Sequence, residues 1–111
     1  MKITSKYFEN EKYYCFNCKR AYLVSQVNTD NWSCDGCGKK LSIDIGARDR
    51  LVRLLPSEMT TKDSVYDQYS KKFHELKGFS PLKRNCLINV KEHGGIPVNN
   101  DEFVNCMWND Q

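Results

Sequence analysis

Two short cysteine motifs constrain this chain more than any other feature. Cys15 and Cys18 form one Cys-x2-Cys pair, Cys34 and Cys37 form a second, and fifteen residues separate the two pairs. This spacing is typical of a zinc site, because structural zinc takes four ligands at the corners of a tetrahedron. A Cys-x-x-Cys turn directs two thiolates at one point, and a hairpin can bring the second turn to the same place. The four cysteines are therefore the predicted metal ligands.

The sequence between and after the motifs favours such a hairpin. Residues 21–27 are rich in β-formers and are predicted to be a strand, and residues 28–31 (NTDN) are predicted to be a turn. Residues 41–45 alternate apolar and polar side chains, as a strand with one buried face does. Gly38 allows the second motif to curl around a metal, whereas Lys19 stands at the equivalent place in the first motif.

Residues 12–46 resemble the zinc-ribbon group, small β modules with two metal-binding turns that are called knuckles. The resemblance implies that Cys15, Cys18, Cys34 and Cys37 hold one zinc ion. Four cysteines leave no open coordination position, so the ion is expected to be structural. Iron stays open as an alternative metal, because ligand type alone does not separate it from zinc. A redox role is disfavoured, since a redox Cys-x-x-Cys normally occurs as a single pair beside a βαβ pattern.

The length of 111 residues suits one compact domain or two very small ones. We predict a zinc ribbon at residues 1–46, a linker at residues 47–56 and a small β-rich domain at residues 57–111. The linker is rich in arginine and leucine, and its sequence fits either a short helix or an extended segment.

The predicted second domain contains three clear strands and one ambiguous segment. Residues 85–91, 96–98 and 102–108 carry strand patterns separated by turns, which indicates a meander or part of a small SH3-like barrel. The segment before them fits two short strands or a helix at residues 63–77 packed on the meander. The expected fold class is therefore small and β-rich, with an α+β arrangement as the alternative.

Basic residues are concentrated in the half of the chain that holds the motifs. Residues 1–55 contain ten Lys or Arg and six Asp or Glu, whereas residues 56–111 contain seven and eight. This excess indicates an anionic partner such as DNA or RNA, with an ordinary solvated surface as the alternative. Trp32 either stacks on a base or covers the ribbon core. The residues expected to contact phosphates are Lys19, Arg20, Lys39, Lys40, Arg48, Arg50 and Arg53.

No catalytic motif is present in the sequence, so we predict a non-catalytic protein without a small-molecule substrate. Cys86 and Cys106 fall at alternating strand positions, where a free cysteine is usually a small buried hydrophobe. His74 and His93 belong to no recognisable Cys-His-Asp arrangement.

These features predict a zinc-binding module that is a nucleic-acid-binding accessory or regulatory protein. The alternative is an adaptor in a larger complex, in which the ribbon and residues 51–55 offer an apolar surface to a protein partner. The sequence has no apolar run long enough for a membrane span and no signal-peptide pattern at its start. A cytoplasmic location with reduced cysteines is therefore expected.

Overall fold

The computed structural model describes residues 1–4 and 7–109. The chain folds into two compact units, each made of two segments of the sequence whose residues lie close together in space. The cysteine unit consists of Tyr7–Arg53 and Trp108–Gln111, and the meander unit consists of Met1–Lys6 and Leu54–Met107.

The described residues form nine strands, two short 3-10 turns and no α-helix. The prediction of a small β-rich fold is confirmed. The strands are β1 (Lys12–Cys15), β2 (Arg20–Tyr22), β3 (Ser42–Asp44), β4 (Leu51–Leu54), β5 (Ser64–Asp67), β6 (Lys72–Pro81), β7 (Asn85–Val90), β8 (Gly94–Asn99) and β9 (Val104–Met107).

Strand β1 lies at the centre of the cysteine unit, where the strand order is β2-β1-β3-β4. Tyr13 pairs with Tyr22 on one side and with Ile43 on the other, and both pairings are antiparallel. Ile43 also pairs with Leu51 at the start of β4. All four side chains are buried, because alternate residues of each strand point to the same face.

One segment of the cysteine unit differs from its prediction, and the predicted linker takes one of its two expected forms. The expected strand at residues 21–27 ends at Tyr22 and is followed by a 3-10 turn, Val24–Gln26, that leaves Leu23 exposed. The Gln26 side chain stabilises this turn by accepting the backbone N–H of Leu23, a bond that a strand would not offer. The segment expected as a linker contains β4, so its extended form is the one observed.

The meander unit has the strand order β9-β5-β6-β7-β8. The ten-residue strand β6 pairs with β5 through its first half and with β7 through its second half. A bulge between Leu76 and Gly78 interrupts the register of the β6–β7 pairing, and bulges of this kind bend a strand. The three strands predicted for the last part of the chain are confirmed as β7, β8 and β9, with small shifts at their ends.

The alternative of a helix at residues 63–77 is wrong, because this segment is the β5–β6 hairpin. The buried Asp67 carboxylate accepts the backbone N–H groups of Tyr69 and Ser70, which fixes a tight turn where the helix would have continued. Lys71 completes the turn with a positive φ of 58°. Tyr69 is exposed at the turn, so the apolar spacing that suggested a helix does not form one buried face.

Candidate metal centre

The structure brings the four predicted ligands together. The Sγ atoms of Cys15, Cys18, Cys34 and Cys37 all lie within 4.8 Å of one another. The Sγ atoms of Cys15 and Cys37 are 3.6 Å apart, and those of Cys34 and Cys18 are 3.9 Å apart. Among residues 1–4 and 7–109 this is the one group of three or more Cys, His, Asp or Glu side chains close enough to hold a metal ion.

These distances can be compared with the geometry of a four-thiolate site. Sulfur atoms about 2.3 Å from a central ion, at tetrahedral corners, are separated by about 3.8 Å. The two observed separations lie on either side of this value. They are also far longer than the bond of about 2.05 Å that a disulfide requires. The cluster therefore has the size of a site for a single metal ion.

The two motifs occupy equivalent positions at the ends of two hairpin-like turns. Cys15 pairs with Arg20 at the end of the β1–β2 ladder, so the first motif closes that hairpin. In the second motif the Cys34 N–H donates to the carbonyl oxygen of Lys39 at 2.7 Å, and Ser33 pairs with Lys40. Each turn thus presents two sulfurs to the same point, as the spacing of the cysteines predicts.

Lys19 keeps the geometry of a knuckle although it is not glycine. Its φ of 53° is close to the φ of 76° at Gly38, the residue in the equivalent position of the second motif. A left-handed φ costs a non-glycine residue roughly 1 kcal/mol. A Cβ at Gly36 would make ordinary van der Waals contact with the sulfurs of Cys18 and Cys34, at 3.6 and 3.7 Å.

Hydrogen bonds favour the thiolate form of Cys34 and Cys37, the second pair of cysteines. Burial by itself would raise the pKa of Cys34, but hydrogen bonds from the Tyr22 hydroxyl and from the backbone N–H groups of Cys37 and Gly36 outweigh it and lower the pKa to about 6. The Tyr22 oxygen lies 2.9 Å from Cys34 Sγ. The backbone N–H of Lys39 likewise lowers the pKa of Cys37. Thiolates are the form in which cysteine binds metals.

The first pair of thiols shows the opposite tendency. Hydrogen bonding to Cys37 and Cys34 raises the pKa of Cys18 to about 12, and burial raises that of Cys15. Four sulfurs this close share protons, because four bare thiolates would repel one another. A divalent cation would offset that repulsion and leave a formal charge of −2. The donor set therefore fits a metal ion.

Most of the predicted phosphate-contacting residues lie at the surface of the cysteine unit. Lys19, Arg20, Lys39 and Arg48 are exposed. Lys40 and Arg50 are partly buried and make contacts within the unit: Lys40 Nζ donates to the carbonyl oxygen of Asn31 at 2.6 Å, and Arg50 Nη1 donates to Ser42 Oγ at 3.3 Å.

Arg53 is not at the surface, so we remove it from this set. Its side chain is 1% exposed and forms an ion pair of 2.6 Å with Glu11, whose side chain is 4% exposed. The guanidinium also lies 4.3 Å from the centroid of the Trp32 ring. Glu11 in turn accepts the backbone N–H of Phe8 and the hydroxyl of Tyr13. Arg53 is thus an internal cation of the cysteine unit.

The two tryptophans occupy different environments. Trp32 is buried against Tyr13, at a centroid distance of 6.1 Å, which confirms that it covers the core and rules out base stacking by this ring. The ring of Trp108 lies 5.7 Å from that of Phe16, and both residues belong to the cysteine unit. Phe16 also contacts Tyr14, at 4.9 Å. Because side chains alternate along β1, Tyr14 lies on the face of the strand opposite to that of Tyr13. This alternation is the sequence signal that could have predicted the contact between Tyr14 and Phe16.

The remaining cysteines and the histidines lie in the meander unit. Cys86 and Cys106 are buried, as predicted, and burial raises the pKa of Cys106. The rings of His74 and His93 meet edge to face, with centroids 4.7 Å apart.

Comparison of the chain with known protein families, with curated proteins and with solved structures finds no match. The part of the chain that the structure describes has no helix of the length and hydrophobicity that crossing a membrane requires.

Proposed function

We propose that this chain is a non-catalytic zinc-ribbon protein whose cysteine unit binds DNA or RNA. The observation that carries the proposal is the four-sulfur cluster, with exposed basic side chains on both turns that form it. Lys19 directly follows Cys18, and Lys39 lies two residues after Cys37. A ligand bound at this end of the unit would meet both.

Zinc is the proposed metal because the cluster has the donor set and the size of a closed four-thiolate site. Such a site leaves no position for a substrate, so the ion would act by holding the two knuckles together. Zinc binding in modules of this kind contributes about 10–16 kcal/mol of folding free energy. Iron could occupy the same four sulfurs, and metal analysis separates the two.

Nucleic acid is the proposed partner because exposed cations flank both cysteine turns of the cysteine unit. Exposed Lys and Arg side chains bind phosphates and release the counterions that surround nucleic acid. Arg20 pairs with Cys15 across the β1–β2 ladder, which places a third cation beside the first knuckle. Its guanidinium lies 4.7 Å from the centroid of the Tyr22 ring.

A protein-interaction adaptor is the second candidate, and one observation favours it. Leu23 and Val24 are both exposed at the 3-10 turn of the cysteine unit. The apolar surface expected from residues 51–55 is not present in that form, because Leu51, Val52 and Leu54 are buried. The adaptor hypothesis therefore depends on exposed apolar side chains elsewhere, such as Leu23 and Val24.

Salt-dependent binding tests the proposal. Zinc-loaded protein would be titrated into labelled DNA and RNA oligonucleotides at two salt concentrations, and a triple variant would be compared with wild type. Because each lost phosphate contact lowers the slope of log K against log salt by about 1, the variant should lose about 3 units of slope. The substitutions are Lys19→Gln, Arg20→Gln and Lys39→Gln.

The control carries the same change of charge on the meander unit. It should bind as wild type does, and both variants should retain their zinc. Equal weakening by both variants would show that net charge, and no particular surface, drives binding. Absence of binding by the zinc-loaded protein would overturn the nucleic-acid proposal in favour of the adaptor. The control substitutions are Lys72→Gln, Lys77→Gln and Lys83→Gln, all at exposed positions.

A further inference from the structure

Three aromatic side chains form a surface of the cysteine unit that the metal centre does not use. Phe16 is central to this aromatic face, with Tyr14 at a centroid distance of 4.9 Å and Trp108 at 5.7 Å. Phe16 is 47% exposed, and the other two rings are partly buried. Arg50 lies on the same face, with its guanidinium 5.4 Å from the centroid of Phe16.

The aromatic face is held in place by the backbone. Phe16 lies between Cys15 and Cys18, so the first knuckle fixes its position. The Trp108 N–H donates to the carbonyl oxygen of Arg50 at 2.8 Å, which anchors the end of the chain beside the start of β4. Rings that are ordered before a ligand arrives lose little conformational freedom on binding.

The position of Tyr14 on β1 shows that the aromatic face is distinct from the core of the cysteine unit. Tyr13 and Cys15 are buried, whereas Tyr14 between them is less buried and points to the other face of the strand. The core side already has Trp32, packed against Tyr13. The exposed part of Phe16 is therefore apolar surface that folding of the described residues leaves in water.

We propose that the aromatic face stacks on unpaired nucleotide bases, so that the preferred ligand is single-stranded nucleic acid. Aromatic rings and an arginine plane are the groups on which proteins stack bases, and each stacked base is worth about 1–3 kcal/mol. Bases inside a duplex are covered by their neighbours and cannot stack on Phe16. Arg50, whose guanidinium lies beside Phe16, also supplies charge complementary to the phosphates of the same strand.

This inference rests on the proposed function and adds the form of the ligand. The full zinc-loaded chain would be titrated with oligo(dT) and oligo(U) of about 12 nucleotides and with a duplex of equal length, because single-strand sites cover roughly 4–16 nucleotides. Wild type should bind the single strands more tightly than the duplex. Phe16→Ala should weaken single-strand binding roughly 5- to 150-fold, the equivalent of one stacked base, and leave duplex binding unchanged.

Two further variants keep the test specific. Phe16→Trp retains a ring for stacking and should bind single strands nearly as wild type does. Tyr69→Ala removes an exposed ring from the meander unit and should have no effect. Zinc content and circular dichroism would show that the variants are folded.

The possible outcomes separate the inference from the proposed function. If single strands and duplex bind equally, and Phe16→Ala binds as wild type does, the stacking inference is overturned while nucleic-acid binding stands. If no oligonucleotide binds, the proposed function itself fails and the inference with it. Loss of single-strand binding in Phe16→Ala, with recovery in Phe16→Trp, would support both.

Discussion

The buried ion pair between Glu11 and Arg53 gives the sharpest stability prediction. Its atoms are 2.6 Å apart, and the two side chains are 4% and 1% exposed. Glu11→Gln keeps the shape of the side chain and an acceptor for the Phe8 N–H, but it removes the negative charge. Arg53 would then be a buried cation beside the Trp32 ring, without the carboxylate that balances its charge.

Removal of one partner from a buried pair costs about 3–5 kcal/mol, because the remaining charge keeps its desolvation penalty without its attraction. We expect Glu11→Gln to lower the free energy of unfolding by this amount. That is a large part of the roughly 5–15 kcal/mol that stabilises a small domain. By contrast, the double variant Glu11→Gln with Arg53→Met removes both charges and should recover most of the loss.

Urea unfolding at fixed free zinc, followed by circular dichroism and tryptophan fluorescence, would measure these free energies. Glu9→Gln is the matched control, since it makes the same chemical change at an exposed position two residues away and should cost little. The reasoning is refuted if Glu11→Gln costs less than about 1 kcal/mol, or if the double variant is as unstable as the two single changes combined.

Two further predictions concern the meander unit. Burial would raise the pKa of Asp67, but hydrogen bonds from the backbone N–H of Lys2 and from the β5–β6 turn lower it below its unfolded value of about 3.9. Its stabilising contribution is therefore full at neutral pH, starts to decrease below about pH 4 and is lost as pH falls through the folded pKa, so the thermal melts of wild type and Asp67→Asn should differ most at pH 7 and less at pH 3. Gly95→Ala should destabilise the protein by about 1 kcal/mol, because the new Cβ would lie 3.1 Å from Asn89 Oδ1, as urea unfolding can measure. Gly78→Ala, with no atom within 4 Å of the new Cβ, should be neutral or stabilising, and equal destabilisation by the two changes would contradict this argument.

The cluster of four cysteines could be predicted from sequence because its information is local. Each Cys-x2-Cys turn fixes two ligands, and the distance between the turns suits a hairpin. The strands of the meander unit after Pro81 were also predictable, because the alternation of apolar and polar residues and the turn residues between strands are local features of the sequence. β7, for example, buries Cys86, Ile88 and Val90, the alternation that predicted it.

The wrong predictions concern residues whose environment depends on contacts that local sequence patterns do not reveal. Arg53 follows a basic segment and looked like a surface residue, but Glu11, far away in the sequence, draws it into the core. The contact between Trp108 and Phe16, which are far apart in the sequence, is another that local patterns do not show. The helix alternative at residues 63–77 had suitable apolar spacing, and the turn held by Asp67 overrode it.

Metal analysis of the purified chain tests the central claim most directly. Elemental analysis and native mass spectrometry should find one zinc ion per chain, and a thiol reagent should reach the four ligand cysteines only after a chelator removes the ion. A chain that retains no metal, or that carries these cysteines as disulfides when isolated under reducing conditions, would contradict the account. One iron ion per chain in place of zinc would contradict the proposed identity of the metal.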